Sequence, residues 1–344
     1  MKKIKIFSYP WHVSHQYELL KMNPENGCPF EWHYLIQYTR RWSKEARPLS
    51  EHVKWVTYYE EGKYDLVIMH IDQQCLDPNI ARGKSLLFRE IKKQVKNTPI
   101  ICINHGTPVY PEVLPQYAER DGMGNTEQAG IEWAKKKMKE LMEGIKVMVV
   151  NSYEAKEMWG FGHTIIHGMD KDEWWDLKKE PRIVTVLSPA GMGNRYYGRL
   201  LLRDTRQILA EKYGIKTVWI GEDGHFFKSW NEYRNFLGRS LVYFNPTLGS
   251  PMPRSRTEAM LSGCCIVTTE NQDADKFIKD GVNGFLVKNN PEYCAKVLAE
   301  RIFDYKGSIE IGQRGKETAI KLFNWERFKS DWIKLIEEVL NIKI

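Results

Sequence analysis

One carboxylate, Glu258, stands in the stretch "RTEAMLSGCCIVTTE" (256–270), where an arginine-bearing segment meets a short apolar run. We expect Thr257 and Glu258 to begin a helix, so that the Glu258 side chain projects from the first turn. A carboxylate in that place can accept hydrogen bonds from two vicinal hydroxyls, as a ribose offers, and the positive helix end suits a diphosphate. The alternative is that Glu258 only complements the helix dipole.

Two pairs of arginines could supply positive charge near an anionic ligand. Arg254 and Arg256 precede Glu258, while Arg195 and Arg199 follow a loop, "AGMGNR", that contains Gly191. Guanidinium groups pair well with phosphate oxygens, and fixed cations can stabilise a departing diphosphate without a metal ion. The alternative for the first pair is solvated surface arginine. The loop lacks the GxGxxG spacing that indicates a dinucleotide site.

Imidazole groups follow two of the predicted strands. His105 lies in "INHGTP", and the first strand ends in "SYPWHVSHQYELL", which contains Trp11, His12 and His15. Without a placed carboxylate or cysteine, His12 and His15 make a poor metal-ligand set, so we expect no metal site. An aromatic and imidazole-lined pocket for an acceptor is one interpretation. The others are that Trp11 packs beneath the loop and that His105 is a structural hydrogen-bonding residue.

The elements that must position these residues alternate along the chain. Apolar runs typical of buried strands are "KIKIFSY", "DLVIMH", "PIICINHG", "VMVVNS", "RIVTVLSP", "KTVWIGE", "SLVYFNP" and "CIVTT". Helical patterns lie between them, such as "GKSLLFREIKKQVK", "GIEWAKKKMKELMEG" and "YGRLLLRDTRQILAEKYG". This alternation predicts an α/β protein with two doubly wound, Rossmann-like parallel-sheet domains, with a central cleft where the carboxyl ends of the strands face each other.

Charged residues interrupt the apolar pattern in "HGMDKDEWWDLKKEPRIVTVL". We therefore place a first domain at 1–176 and a second at 177–322. Residues 323–344 have apolar side chains at helical intervals, which predicts a terminal helix that could cross back to the first domain.

Composition bounds the class of protein. The chain has 344 residues, of which 42% are hydrophobic and 28% are charged, as in soluble globular proteins. Its net charge of +7 favours an anionic partner such as a nucleotide, an anionic membrane or a nucleic acid. The six cysteines form no CxxC pair, and reduced thiols in a cytoplasmic protein are the simplest interpretation. The start, "MKKIKIFSYPW", indicates a first strand and not a signal peptide.

Several segments in order resemble the retaining family 4 glycosyltransferases, which have the GT-B fold. The segments that carry this resemblance are "NSYEAKEMWGFGHTIIHGMD", "LSPAGMGNRYYGRLLL", "IGEDG", "NPTLGSPMPRSRTEAMLSGCCIVTT" and "FIKDGVNGFLV". They lie in order between residues 151 and 287. The resemblance implies a GT-B fold, with donor binding mostly by the second domain.

The resemblance also implies roles for single residues. Glu258 would bind the nucleotide ribose, Arg195 and Arg199 would neutralise the diphosphate, and His105 would approach the donor sugar from the first domain. The donor-binding set is Gly191, Arg199, Gly221, Ser250, Arg254, Arg256, Thr257 and Glu258. The catalytic pair is His105 and Arg195, and the acceptor-side residues are Trp11, His12 and His15.

One position departs from the family pattern. Ser250 stands where the family usually has a second glutamate, which begins a loop whose amides line the donor sugar. Pro251 and Pro253 follow and lack amide protons, so two such donors are absent. The donor sugar is then unusual or held by other groups, and Arg254 and Arg256 could compensate at the phosphates.

The resulting expectation is a retaining glycosyltransferase that moves a sugar from a nucleotide-diphosphate donor to a glycan or lipid-linked saccharide, with no cofactor. Two alternatives stay open: a DNA-modifying transferase of the kind some phages encode, and a GT-B-shaped binding protein without turnover. The basic stretches 82–96 and 134–140 allow peripheral attachment to anionic lipid at the inner membrane face. A nucleic-acid partner is less favoured, because aromatic residues do not alternate with those lysines. Nothing indicates the oligomeric state.

Overall fold

The computed structural model describes residues 3–36, 42, 47–77, 83–110, 112–187, 195–221 and 227–344. The chain forms two units. Unit 1 contains Met1–Val109, Leu114–Met169 and Trp325–Ile344, and unit 2 contains Tyr110–Val113 and Asp170–Asn324.

Unit 1 is built on a parallel sheet of seven strands within the described residues, in the order β3-β2-β1-β4-β5-β6-β7. Its strands are β1 (Ile4–Ser8), β2 (Phe30–Leu35), β3 (Lys54–Val56), β4 (Leu66–Ile71), β5 (Ile100–Asn104), β6 (Val147–Val150) and β7 (His163–Thr164). The chain passes from β1 to β2 on one side and later returns to β4 on the other. The winding therefore reverses between β1 and β4, where α/β proteins place ligands.

The helices of unit 1 are α1 (Val13–Leu20), α2 (Gly83–Gln94), α3 (Leu114–Arg120), α4 (Glu127–Leu141), α5 (Tyr153–Trp159) and α12 (Trp325–Leu340). Every residue of β4 and β5 is buried, as expected of central parallel strands covered on both faces.

Unit 2 has a parallel sheet of five strands within the described residues, in the order β12-β11-β10-β8-β9. Its strands are β8 (Glu180–Val186), β9 (Thr217–Ile220), β10 (Ser240–Asn245), β11 (Cys265–Thr269) and β12 (Phe285–Val287). Its helices are α6 (Arg199–Tyr213), α7 (Trp230–Arg239), α8 (Arg254–Leu261), α9 (Ala274–Phe277), α10 (Pro291–Phe303) and α11 (Tyr305–Leu322). The winding reverses between β8 and β10.

The predicted fold class is confirmed: both units are doubly wound α/β structures with parallel sheets. Each of the eight apolar runs named from the sequence overlaps a strand. Strands β2, β3, β7 and β12 were not predicted from the sequence.

The second unit begins at Asp170, earlier than the predicted boundary after residue 176. The intervening residues contact unit 2 through apolar and charged groups. The Trp174 ring packs edge-on against Trp230 at 5.1 Å, and Asp176 accepts a hydrogen bond from Gln313 at 2.8 Å. Trp174 and Asp176 therefore pack with unit 2.

The terminal helix α12 belongs to unit 1. Phe328 and Trp332 are fully buried in the core of that unit, which also contains Ile6 and Ile68. Arg327 fastens the same helix by donating to the backbone oxygens of Ile166 and His167 at 2.6 and 2.9 Å. The last helix of the chain thus completes the core of the first unit.

All six cysteines are buried and free of disulfide bonds. Among the described residues, no helix has both the length and the apolar character needed to cross a bilayer.

Candidate functional site

In unit 2 the polar residues singled out from the sequence gather at the carboxyl edge of the sheet, near the reversal between β8 and β10. The segment after β8 leads to α6, and the segment after β10 leads to α8. Their contact is close: Leu248 N and Gly249 N both donate to the Tyr196 backbone oxygen, at 3.1 and 2.8 Å. These bonds hold the loop after β10 against the start of α6.

The amino end of α6 carries no carboxylate of its own. Gly198 is the N-cap residue at φ +66°, makes no side-chain capping bond, and no acidic residue occupies the first turn. Arg199 is the first helical residue, and its guanidinium lies 5.9 Å from the centre of the Trp219 ring. A positive helix end with an adjacent arginine favours an anionic ligand.

Helix α8 begins at Arg254, with Pro253 as its N-cap residue. The expectation that Thr257 and Glu258 begin this helix is therefore wrong, and Glu258 lies in the second turn. Proline suits such a position because its ring already has helical φ and its missing N–H has no helical acceptor to lose. The arginines, and not Glu258, occupy the positive end of the helix dipole.

Glu258 is 4% exposed, and its Oε2 accepts a hydrogen bond from the Tyr233 hydroxyl at 2.6 Å. Tyr233 lies on α7 and is itself buried. A carboxylate removed from water needs hydrogen-bond donors, and Tyr233 supplies one of them. The interpretation that Glu258 only complements the dipole of its helix does not explain this contact.

Arg254 and Arg256 are buried, so the alternative of solvated surface arginine is wrong. Arg256 directs one guanidinium nitrogen to Thr268 Oγ1 at 3.5 Å and another to Met252 Sδ at 3.7 Å, both long contacts. It takes part in none of the ion pairs found in the described part of the chain. Burial lowers the pKa of Arg256 to about 10, and the neighbouring Tyr243 and Asp273 offset this effect only in part.

The remainder of α8 is fixed by buried contacts. The Tyr243 hydroxyl on β10 donates to Ser255 Oγ at 2.7 Å, and burial raises the pKa of Tyr243 to about 12. Thr257 is fully buried. The Ser250 backbone oxygen accepts from Asn271 Nδ2 at 2.8 Å, which holds the loop before α8.

The predicted loop residues are placed as follows. Arg195 has an exposed side chain, and its backbone N–H donates to Glu112 Oε1 at 3.1 Å. Gly221 follows β9 directly at φ +110°, a conformation that favours glycine. Gly191 lies outside the described residues.

In unit 1 the predicted histidines come together at the carboxyl edge of the sheet. The His12 ring stacks on the His105 ring at 4.7 Å and 20°, and the His15 ring meets His105 edge-on at 5.2 Å. A further histidine, His70, lies on β4, and its Nδ1 is 3.1 Å from Nε2 of His105. Residues from three separate segments thus form one imidazole cluster near the reversal between β1 and β4.

Trp11 contributes to this edge mainly by packing. It is 6% exposed, its ring lies 6.1 Å from that of Tyr9, and its backbone N–H donates to Gln16 Oε1 at 2.7 Å. A ring this buried has little face to offer a sugar. Among the described residues, no group of three or more His, Cys, Asp or Glu side chains has the geometry to hold a metal ion.

The lysine-rich helices of unit 1 carry compensating charge. On α4, Lys135 pairs with Glu132 at 2.9 Å and Lys137 pairs with Asp121 at 3.3 Å. Lys92 on α2 donates to the Leu141 backbone oxygen at 2.6 Å, and burial lowers its pKa. Two lysines of α4 are thus paired with carboxylates, and Lys92 of α2 is held by a backbone oxygen.

Tyr233 and His70 were not singled out from the sequence. Tyr233 lies in a helix rich in aromatic residues and had no motif to mark it. His70 carried a weak signal: it is a titratable side chain within the apolar run "DLVIMHI", which forms a fully buried strand.

Comparison with known proteins relates a large part of unit 2 to glycosyltransferases. Residues 198–303 match the family model described as glycosyl transferases group 1. An uncharacterised glycosyltransferase of Methanocaldococcus jannaschii is 29% identical over 94 residues, which cover 27% of this chain. The match spans about a quarter (24%) of that relative's length.

Solved structures match both units. Sucrose-phosphate synthase from Thermosynechococcus elongatus has a TM-score of 0.67 at 12% identity, with 98% of this chain and 100% of that chain covered. Anabaena HepE in complex with UDP and glucose has a TM-score of 0.64 at 13% identity, with the same coverage. A glycosyltransferase from Rickettsia africae has a TM-score of 0.62 at 14% identity, with 99% of each chain covered.

The chain therefore has the GT-B fold, with two Rossmann-like parallel-sheet units, and its residues 198–303 match the group 1 glycosyltransferases.

Proposed function

We propose that this protein is a retaining glycosyltransferase that moves a sugar from a nucleotide-diphosphate donor to a hydroxyl group. The observation that carries the proposal is the buried Glu258 carboxylate, hydrogen-bonded to Tyr233, within a segment that matches the group 1 glycosyltransferase model. In this proposal Glu258 accepts hydrogen bonds from the two ribose hydroxyls while Tyr233 keeps the carboxylate in place.

The diphosphate is assigned to the adjacent positive groups. The N-terminus of α6 has neither a capping side chain nor an acidic residue in its first turn, and Arg199 follows its N-cap. Arg256 is buried with only long polar contacts, so a phosphate oxygen near it would recover part of the cost of its desolvation. These groups would also stabilise the negative charge of the leaving diphosphate.

The proposed reaction breaks the bond between the sugar C1 and the β-phosphate oxygen, which keeps the electron pair. The acceptor oxygen forms a new bond to C1 on the same face, and the acceptor proton passes to the leaving diphosphate. His105 is proposed to donate a hydrogen bond to a substrate oxygen. This scheme uses fixed side-chain cations in place of a metal ion, so activity should persist in the presence of a chelator.

Uridine diphosphate is the first nucleotide to test, because HepE, which shares this fold, binds UDP and UDP-glucose in its solved structures. Calorimetry would compare UDP and GDP with the parent protein and with Glu258→Ala. We expect Glu258→Ala to weaken nucleotide binding about 10- to 100-fold, since hydrogen bonds to a charged group are lost. Glu317→Gln, at an exposed position of α11, is the matched control and should bind like the parent.

If Glu258→Ala bound the nucleotide as tightly as the parent, the proposal that Glu258 binds the ribose would be wrong. Release of UDP or GDP from a panel of nucleotide sugars tests turnover. Binding without any release, even by slow hydrolysis, would favour a binding protein. Duplex DNA that shifts in gels and is released steeply by salt would favour the DNA-modifying alternative.

A further inference from the structure

A buried chain of side chains leads from α1 to the imidazole cluster of unit 1. Gln16 Nε2 lies 3.1 Å from His70 Nε2, and His70 Nδ1 lies 3.1 Å from His105 Nε2. Gln16 and His70 are fully buried, whereas His105 is partly exposed. The three residues come from α1, β4 and the segment after β5.

Two backbone groups fix the orientation of the Gln16 amide. The Trp11 N–H, which can only donate, lies 2.7 Å from Gln16 Oε1. The Tyr9 backbone oxygen, which can only accept, lies 2.7 Å from Gln16 Nε2. The atom that faces His70 is therefore the amide nitrogen, and it is a donor. Its second hydrogen has two neighbours, His70 Nε2 at 3.1 Å and the Tyr34 hydroxyl at 3.3 Å, of which His70 is the nearer.

The orientation of Gln16 determines the tautomer of His70. Because Gln16 donates to His70 Nε2, that nitrogen must carry the lone pair, and the Ser8 hydroxyl at 3.5 Å is also able to donate to it. A neutral imidazole has one protonated nitrogen, so the proton of His70 lies on Nδ1.

The tautomer of His70 determines that of His105 in turn. The two ring planes differ by only 10° while their centres are 5.4 Å apart, so the rings lie edge to edge, as an in-plane N–H···N bond requires. His70 Nδ1–H then donates to His105 Nε2. The proton of neutral His105 is left on its own Nδ1.

We infer that Gln16 and His70 are positioning residues that hold His105 as the Nδ1-protonated tautomer, with His12 stacked on its ring. This inference rests on the proposed function for its consequence: a substrate oxygen that meets the Nδ1 of neutral His105 would accept a hydrogen bond from it and could not lose a proton to it. His105 would then stabilise a substrate oxygen and would not act as the general base.

The opposite tautomer would break several contacts together. A proton on His105 Nε2 would require a lone pair on His70 Nδ1 and hence a proton on His70 Nε2. That proton would face the Gln16 amide hydrogens. Turning the amide over to accept it would break both of its backbone hydrogen bonds, and each buried group left unpaired costs about 1–3 kcal/mol.

Nitrogen-15 NMR of the histidine-labelled protein tests the inference without any substrate. Two-bond proton–nitrogen correlations at about pH 8.5, where free imidazole is neutral, report which ring nitrogen is protonated. We expect His70 and His105 both to be protonated on Nδ1 in the parent, and comparison with His70→Phe and His105→Asn assigns the signals.

Gln16→Glu supplies the sharpest variant. A carboxylate in that place cannot donate to His70 Nε2 but can accept from it, so a neutral His70 should carry its proton on Nε2, and His105 should then be protonated on Nε2 as well. A His70 ring protonated on both nitrogens would leave His105 unchanged, and its own nitrogen-15 shifts identify it. His70→Asn retains a side-chain N–H near the position of Nδ1 and should keep His105 protonated on Nδ1, whereas His70→Phe should leave His105 with a mixture of tautomers.

A parent protein with His105 protonated on Nε2, or with an equal mixture of tautomers, would overturn the inference. So would an unchanged His105 spectrum in a folded Gln16→Glu variant whose His70 is neutral. If that variant does not fold, or if its His70 is protonated on both nitrogens, the parent spectrum alone still decides. Failure to bind or transfer any sugar would remove the proposed function and leave the tautomer result intact.

Discussion

Gly198 lies so close to Pro246 that a Cβ atom built on the glycine would fall 1.9 Å from the Pro246 backbone oxygen. The contact joins the amino end of α6 to the residue that follows β10, at the point where the winding of unit 2 reverses. Glycine at position 198 therefore allows two loops to approach at the proposed diphosphate site.

Gly198→Ala should lower both the stability of unit 2 and its nucleotide affinity. The positive φ alone costs a residue with a side chain about 1–2 kcal/mol, and the new methyl group would also displace the Pro246 backbone. Gly214→Ala at the other end of α6 is the control, since Gly214 has φ +67° but a Cβ atom built on it meets no atom of the described residues within 4 Å, its chain neighbours aside. Thermal unfolding should show a smaller loss for Gly214→Ala, and equal losses would contradict the role of the close contact.

Tyr233→Phe should weaken nucleotide binding several-fold while leaving the fold intact. The variant keeps the packed ring and removes only the hydroxyl that donates to Glu258. Its cost to stability should be about 1–3 kcal/mol, since Glu258 loses a buried donor. The control is Tyr305→Phe, which removes a comparable 2.7 Å bond to the Lys179 backbone oxygen elsewhere in unit 2. Calorimetry should show a lower nucleotide affinity for Tyr233→Phe than for Tyr305→Phe. An unaltered affinity in Tyr233→Phe would show that this hydroxyl does not contribute to the ligand site.

The sequence predicted the central strands well because parallel strands covered on both faces are continuous apolar runs. It did not predict β2, where Glu31 and His33 interrupt the pattern. In the structure those two side chains bond each other at 2.7 Å, and Lys54 on β3 donates to Glu31 at 2.6 Å. Such compensation comes from a neighbouring strand and cannot be read from the local pattern.

The candidate site was predictable to a similar degree. Motif order pointed to Glu258, and spacing alone brought His12 and His15 near each other. The partners that fix these groups, Tyr233 and His70, lie 25 and 35 positions away from the residues they contact. Their contacts depend on how strands and helices pack, which spacing within one segment does not determine. The start of α8 was missed because residues 254–257 have no apolar periodicity.

Asp176→Asn should destabilise unit 2 at neutral pH by about 2 kcal/mol, because the variant loses the charge that Lys179 and Lys316 face at 3.1 Å. Burial alone would raise the pKa of Asp176, but a hydrogen bond from Gln313 and the two lysine charges outweigh it and place that pKa below 3.8. The carboxylate therefore stabilises the folded state above about pH 4, and this contribution disappears as the pH falls through its lowered pKa.

Urea unfolding of the parent and Asp176→Asn at pH 7 and near pH 3 measures this effect. The difference in unfolding free energy should be largest at pH 7 and should shrink in acid. Asp172→Asn, in the same segment, is the control: Asp172 pairs with the exposed Lys171 and should change stability little at either pH. A difference for Asp176→Asn that stays constant with pH would show that its charge does not contribute.

Trp332→Ala should destabilise unit 1 by about 3–5 kcal/mol, the usual cost of removing a large buried aromatic side chain. Trp332 is fully buried in the core of that unit, and its ring contacts those of Phe328 and His15. Since chains of two units commonly unfold in more than one step, the variant should shift the transition of unit 1 and leave that of unit 2 in place. Trp325→Ala, at a partly buried position of the same helix, should shift it less. Calorimetric unfolding compares the variants, and a shift of the same transition that Asp176→Asn affects would show that α12 also stabilises unit 2.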